Sequence, residues 1–297
     1  MYNDIRKNKI KTGIIVFGFL TMITLIIYYL CYFFDVSSYA AMAIALTFSI
    51  ISTILTYYNC DKIVLASVNA RTATREEDLR LTNILDALMV ASGLEHKPRL
   101  YVIESRQPNA FATGRNPQNA IICVTTGLLE KLDYYELEGV VAHELSHVKN
   151  YDILLSAVIS VMVGFVCMLA DIFTRTMFRS SRSRDRDNKG NGILLLIGLL
   201  FLILSPLVSN LIQLAVSRRR EFLADATAVS FTRNPDGLIS ALKKISADDS
   251  QMDVASNGNA YMYIANPFPK KRAHKKSSLF STHPSVEERV EALENLR

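Results

Sequence analysis

Cysteine is scarce in this chain of 297 residues. Its four cysteines, Cys31, Cys60, Cys123 and Cys167, never stand at CxxC spacing, and Cys31 and Cys167 lie inside apolar runs. That argues against a disulfide framework and against a thiolate metal site, and it suits a domain facing a reducing cytosol. A basic–aromatic platform and a recognition-helix pattern are also missing, so the net charge of +5 does not indicate a nucleic-acid partner. The basic residues stand beside four long, nearly uncharged stretches, where anionic lipid surfaces favour them.

Half of the residues are hydrophobic, and their gathering into four runs is the pattern of a membrane protein. Arg6, Lys7, Lys9 and Lys11 precede the first run, 13–34, which carries no charge and is long enough to cross about 30 Å of hydrocarbon. A signal peptide is the rival reading, with an apolar core of about 7–15 residues and a small-x-small cleavage site. This run ends instead in Tyr32, Phe33 and Phe34, and a second run, 39–58, follows at once. Tyr28, Tyr29, Tyr32, Tyr39, Tyr57 and Tyr58 lie near the span ends, as an interfacial belt does. The link 35–38 has no Lys or Arg, so the basic N-terminus is expected inside and the link outside, with the chain back in the cytoplasm near Asp61 and Lys62. The third and fourth runs are 153–173 and 192–216, with Pro206 as a kink. The polar, Arg-rich stretch between them reads as a flexible loop. Full crossing would put that loop outside, against the positive-inside rule. Either the first two spans override the rule, or the last two runs form a hairpin that does not cross fully.

The expected divisions are 1–60, two transmembrane helices; 61–152, a first soluble part; 153–216, the hydrophobic hairpin; and 217–297, a second soluble part. In the first soluble part Thr74 and Glu77 form a capping box, opening a helix with Leu79, Ile84, Leu85, Leu88 and Met89 as its buried stripe and Gly93 as its stop. Strands over 99–104 and 119–125 make a small sheet. In the second part, Asn234, Pro235, Asp236 and Gly237 form a turn before a short amphipathic helix. Residues 246–282 read as polar and irregular, with a solvated or lipid-facing basic run at 270–276, and a terminal helix covers 286–296.

The chemistry begins at Val141-Ala142-His143-Glu144-Leu145-Ser146-His147, which holds the HExxH pattern. Four residues apart on a helix, His143 and His147 share a face and can hold one Zn²⁺ at about 2.0–2.1 Å. Glu144 is placed to act as general base on a water activated by the metal. Asp133 and Glu136 supply a capping box, and Leu137, Val140, Val141, Leu145 and Val148 an apolar face. A core helix with two satisfied histidines is the bland alternative, yet a dry helix has no reason to carry His-Glu-His without a ligand. A catalytic zinc takes three protein ligands. Glu221 and Asp225 also share a helical face, so Glu221 can bind the metal while Asp225 holds a histidine ring. A solvated surface pair, or a salt-bridge cluster with Arg218, Arg219 and Arg220, stands beside that reading.

Taken in order, NAFATG at 109–114, HELSHVKNYD at 143–152, the hydrophobic hairpin, RREFLAD at 219–225 and THPSVEER at 282–289 resemble the HtpX-type bacterial membrane zinc metalloproteases. These belong to the gluzincin group and are relatives of the CAAX-type prenyl proteases. The resemblance implies an α+β membrane protein, mainly helical, with four hydrophobic helices plus a zincin-like metalloprotease domain with a small sheet. It implies one Zn²⁺ per chain held by His143, His147 and Glu221, with the carboxylates of Asp225 and Asp152 behind the ligands. It makes His283 and Arg289 a C-terminal pair that helps stabilise the transition-state oxyanion, His283 as a catalytic group and Arg289 behind the ligands, and it makes Asn109, Ala110, Phe111, Ala112 and Thr113 the edge that pairs with an extended substrate. Ser285 stands where that family often has a second proline. The implied activity is endopeptidase cleavage of misfolded or damaged membrane proteins under stress, in the bacterial inner membrane, with a cytoplasmic catalytic domain. Implied partners are membrane-protein or unfolded polypeptide substrates and the bilayer, with a homo-oligomer also admitted. The alternatives are a prenyl-peptide processing enzyme and an inactive zinc-bound scaffold or regulator, and the intact Glu144 speaks against the scaffold.

Overall fold

The computed structural model describes residues 2–33, 36–164, 217–256, 259–268 and 284–297. Residues 165–216, which hold the rest of the third run, the Arg-rich stretch and the fourth run, lie outside the described residues, as do the basic run at 270–276 and His283.

The first two apolar runs form helices α1, Tyr2–Phe33, and α2, Ser38–Ser67, which pack along each other. Among the described residues, Ile10–Tyr29 and Ser38–Ser67 are the helices long and apolar enough to cross a membrane. Phe17, Ile14 and Phe48 face outward, a surface that water disfavours and lipid accepts. The expectation of four hydrophobic helices is thus met for two. A shorter apolar helix, Asp152–Gly164, covers the start of the third run. Helix α2 does not stop with its apolar run at residue 58. It continues because Val64 and Leu65, with Val68 just after it, pack on Ile103, Phe111, Ile121 and Cys123 of the sheet. Arg99 clamps Asp61 at 3.0 Å, and the Arg115 guanidinium lies 5.0 Å over the Tyr58 ring.

The described residues form one four-stranded sheet: β1, Arg71–Thr72; β2, Arg99–Ile103; β3, Ala110–Thr113; and β4, Ile121–Thr125. The spatial order is β1-β2-β4-β3, with β2 and β4 parallel and the other two pairs antiparallel. Strand β3 is therefore an outer strand. Helix α3, Arg75–Ser92, starts at the Thr74–Glu77 capping box and ends on Gly93 at φ 66°, the left-handed conformation that favours glycine. Its buried stripe is Leu81, Ile84, Leu85 and Leu88, while Leu79 is 54% exposed. The i, i+3, i+4, i+7 phase belongs to Leu81, so the expected place of Leu79 was wrong.

Helix α4, Thr126–Lys131, leads to α5, Tyr134–Lys149, the centre of the domain. Helix α6 is Asp152–Gly164, followed by α7, Arg218–Thr232, α8, Pro235–Ala247, and α9, Val286–Glu294. Leu137, Val140, Val141, Leu145 and Val148 are all fully buried, in one cluster with α3, α8 and α9. A Cβ at Gly139 would lie 2.8 Å from the Leu238 nitrogen, so glycine is what lets α8 cross α5 that closely.

Candidate active site

Three local features aim the site residues. The Asp133–Glu136 capping box, present in both directions, fixes the start of α5. Its last turns carry His143, Glu144 and His147. Tyr151 adopts φ 60° between α5 and α6, an uncommon conformation for a bulky residue. This tight reversal brings Asp152 back to the helix it has just left, and its Oδ2 reaches His147 Nδ1 at 3.1 Å. Helix α7 crosses α5 and presents Glu221 and Asp225 from one face.

The two imidazole Nε2 atoms converge to 3.3 Å. Glu221 stands opposite, 3.7 Å from His143 Nε2 and 3.8 Å from His147 Nε2. One ligand atom from each of the three residues lies within 4.8 Å of the others. Each Nδ1 is tied to a carboxylate, His143 to Asp225 at 2.9 Å and His147 to Asp152 at 3.1 Å. With Nδ1–H donated outward, both Nε2 lone pairs face Glu221, which is the tautomer a metal needs. The buried carboxylates of Glu144, Asp152, Glu221 and Asp225 are crowded here, a cluster whose charge a divalent cation would offset. The residues fit a zinc-type ion.

Each carboxylate behind a histidine is held in turn by an arginine. Arg289 of α9 is 1% exposed and grips Asp225 through Nε at 2.8 Å and Nη2 at 2.6 Å. Arg220 lies 3.6 Å from Asp152 and lines the cavity. Burial would raise the Asp225 carboxyl, but Arg289 and His143 outweigh it and hold the group below its ordinary range. Burial, aided by the charge of Arg289, lowers His143. His147 goes the other way: the pull of burial is overcome by its bond to Asp152 and by the nearby carboxylates, and it rises to about 9. Burial pushes Glu144 up to about 7, with Glu221 adding to the push and His147 opposing it. Ala112 of β3 lines the same cavity as Glu144, and its backbone N–H favours the ionised Glu144 carboxylate, so this base stands beside the β3 edge.

The sequence-derived set is thus brought together with one exception, since His283 lies outside the described residues. His143, His147, Glu144, Glu221, Asp225, Asp152 and Arg289 form one cluster. Arg289 is outside the cavity lining, and its guanidinium grips Asp225. Ala110, Phe111, Ala112 and Thr113 form β3, with Asn109 just before it. Sequence reasoning missed two features. In the sequence Arg220 is one member of a basic cluster, and its spacing carries no distinguishing signal. Tyr261, Met262, Tyr263 and Ile264 fall in the stretch that reads as polar and irregular, yet all four line the cavity; the signal available is an apolar run within a polar stretch. Ser285 is the N-cap of α9, in a capping box with Glu288, which explains how the position does without a second proline.

A His-His-Glu cluster that could hold a metal ion, with an adjacent buried carboxylate, in a chain that also carries two membrane-length helices, is the arrangement of a metallopeptidase. The profile of Peptidase family M48 matches residues 75–297. A protein named Protease HtpX homolog from Thermoanaerobacter pseudethanolicus is 42% identical over 100% of this chain and 98% of its own length. Another of that name, from Dictyoglomus thermophilum, is 40% identical over 98% of this chain and 93% of its own. The crystal structure of S. mikatae Ste24p shares the fold with a TM-score of 0.51 at 19% identity, over 99% of this chain and 67% of that one. The chain belongs to peptidase family M48, as an HtpX-type membrane metalloprotease.

Proposed function

We propose that this metalloprotease is a zinc endopeptidase of the bacterial inner membrane that cuts misfolded or damaged membrane proteins, its catalytic domain facing the cytoplasm. The observation that carries the reading is the convergence of both Nε2 atoms on Glu221, with Glu144 beside them and next to the β3 edge. His143, His147 and Glu221 would hold one Zn²⁺ per chain. When bound, that ion supplies polarisation of the scissile carbonyl and acidification of the attacking water.

The chain's own groups do the rest. Asp225 and Asp152 hold the two rings in the ligating tautomer. Glu144 takes the proton of the attacking water and returns it to the leaving amine. An extended substrate adds as a strand to β3, and main-chain pairing tolerates many sequences. To His283, which lies outside the described residues, this reading assigns stabilisation of the developing oxyanion. The divisions 1–60, 61–152, 153–216 and 217–297 describe the assembly. On this reading 153–216 is the hydrophobic hairpin between the two halves of the catalytic domain, most of which (residues 165–216) lies outside the described residues. The exposed apolar surfaces of α1 and α2 support a membrane setting.

The test is metal content together with cleavage of casein in detergent. Glu144→Gln is expected to keep stoichiometric zinc and to lose cleavage by about 10²-fold or more, the contribution of a positioned base. Glu221→Ala is expected to lose zinc. Wild-type cleavage by the first variant, or full zinc in the second, would overturn the assignment.

A further inference from the structure

The edge on which a substrate would pair is already engaged by the chain itself. The β3–β4 register pairs Ala110 with Val124 and Ala112 with Ile122, and the Thr125 N–H donates to the Asn109 carbonyl. In an antiparallel ladder such bonding alternates. Asn109 and Phe111 therefore turn their backbone groups toward β4, while Ala110 and Ala112 turn theirs to the outer edge. The Ile264 N–H donates to the Ala110 carbonyl at 2.9 Å. The Asn109 amide mimics a further strand pair, donating to the Ala265 carbonyl at 3.0 Å and accepting from the Ala265 N–H at 3.3 Å. The Gln107 amide donates to the Asn266 carbonyl at 3.4 Å. Tyr263 is fully buried, edge-on to Phe111 with ring centroids 5.2 Å apart.

The other end of this segment is anchored against α6 and α1. Tyr261 donates its hydroxyl to the Ser156 carbonyl on α6 at 2.9 Å. Its ring sits in a cluster with Ile15 of α1 and with Leu155 and Ile159 of α6. What remains open beside Glu144 is a cavity of about 40 Å³, space for a few waters and not for an extended peptide.

We propose that residues 259–268 are an autoinhibitory strap. It occupies the Ala110 end of the β3 edge, and a polypeptide substrate must displace it to pair there. Because Tyr261 is seated between α1 and α6, a loosening of those helices releases the strap, which ties cleavage to the state of the membrane bundle. This rests on the reading of β3 as the substrate edge.

Two zinc-loaded variants in detergent test the strap. Ile264→Pro deletes the N–H that bonds Ala110, and Tyr261→Phe deletes the hydroxyl that bonds Ser156. Each is expected to raise kcat/KM on unfolded casein about two- to tenfold, the population ratio that one hydrogen bond controls. A second measurement needs no turnover: in zinc-loaded Glu144→Gln protein, casein is expected to speed hydrogen exchange at the amides of residues 260–266. Casein binding to that variant with unchanged exchange in the strap, or wild-type kcat/KM in both strap variants, would overturn the proposal. Absence of chelator-sensitive cleavage in the wild type would instead sink the protease reading, and the exchange result would still judge the strap.

Discussion

His143 and His147 leave one face of one helix, yet the protein holds them in different ways. Behind His143, the clamp is assembled from distant parts of the chain: Asp225 comes from α7 and Arg289 from α9, and both are almost completely buried. Behind His147, the carboxylate is only five residues along, delivered by the Tyr151 reversal, and its arginine borders the cavity with a side chain 14% exposed. The inner clamp is part of the core and ties three helices together. The outer clamp is local, looser at 3.6 Å against 2.6 Å, and open toward the cavity. Two ligands of the same type can thus depend on different things, one on global folding and the other on a single turn.

The largest expected effect breaks the inner clamp. Arg289→Met leaves Asp225 buried without its cation, at a cost of about 3–5 kcal/mol. Thermal unfolding in detergent should show a strongly lowered midpoint or no cooperative transition, and a wild-type midpoint would end the distinction between the clamps. The next effect touches the outer clamp. Asp152→Ala and Arg220→Met should weaken zinc binding by roughly 10–100-fold in a chelator competition, with little change in the unfolding midpoint of the metal-free protein. If Arg220→Met unfolds as easily as Arg289→Met, the two clamps are equivalent. The smallest effect gives a baseline at the other end of α5. Glu136 is tied to Lys244 at 2.6 Å and to Ser240, and Lys244 is half-exposed, so Glu136→Gln should cost only about 1 kcal/mol.

That baseline also has a pH signature. Burial would raise the Glu136 carboxyl, but Lys244, Ser240 and the Asp133 N–H lower it below its ordinary value. The unfolded chain therefore takes up the proton at the higher pH. The contribution of Glu136 is fully present above about pH 4.3, the unfolded value, and is lost as pH falls through the lowered folded value. Glu136→Gln should flatten this limb in acid denaturation curves, whereas a limb unchanged by the substitution would show that the carboxylate is not held as described.

Much of this was legible in local patterns. The three capping boxes, at Thr74, Asp133 and Ser285, depend on side chains three residues apart, so a linear reading can find them, and the first two were found. The HExxH pair and the Glu221–Asp225 pair are helical spacings of four, readable for the same reason. The phase of α3 was misjudged by two residues at Leu79, because one exposed leucine cannot be told from a buried one by type. Arg220 escaped notice because its partner lies across the fold, and nothing within RRREF marks which arginine turns inward. The buried course of Tyr261, Tyr263 and Ile264 escaped because polar neighbours on both sides masked a short apolar run.

The HExxH helix, its caps, its apolar face, the two membrane-length runs and the pairing of Glu221 with Asp225 on one face all follow from residue spacing. A helix repeats every 3.6 residues wherever it is placed, so such relations hold before any packing occurs. The meeting of α5 with α7, the clamp of Arg289 on Asp225, and the engagement of the β3 edge by residues 259–268 follow from packing alone. These contacts join residues 64 to 156 positions apart, and their existence depends on which buried surfaces fit together.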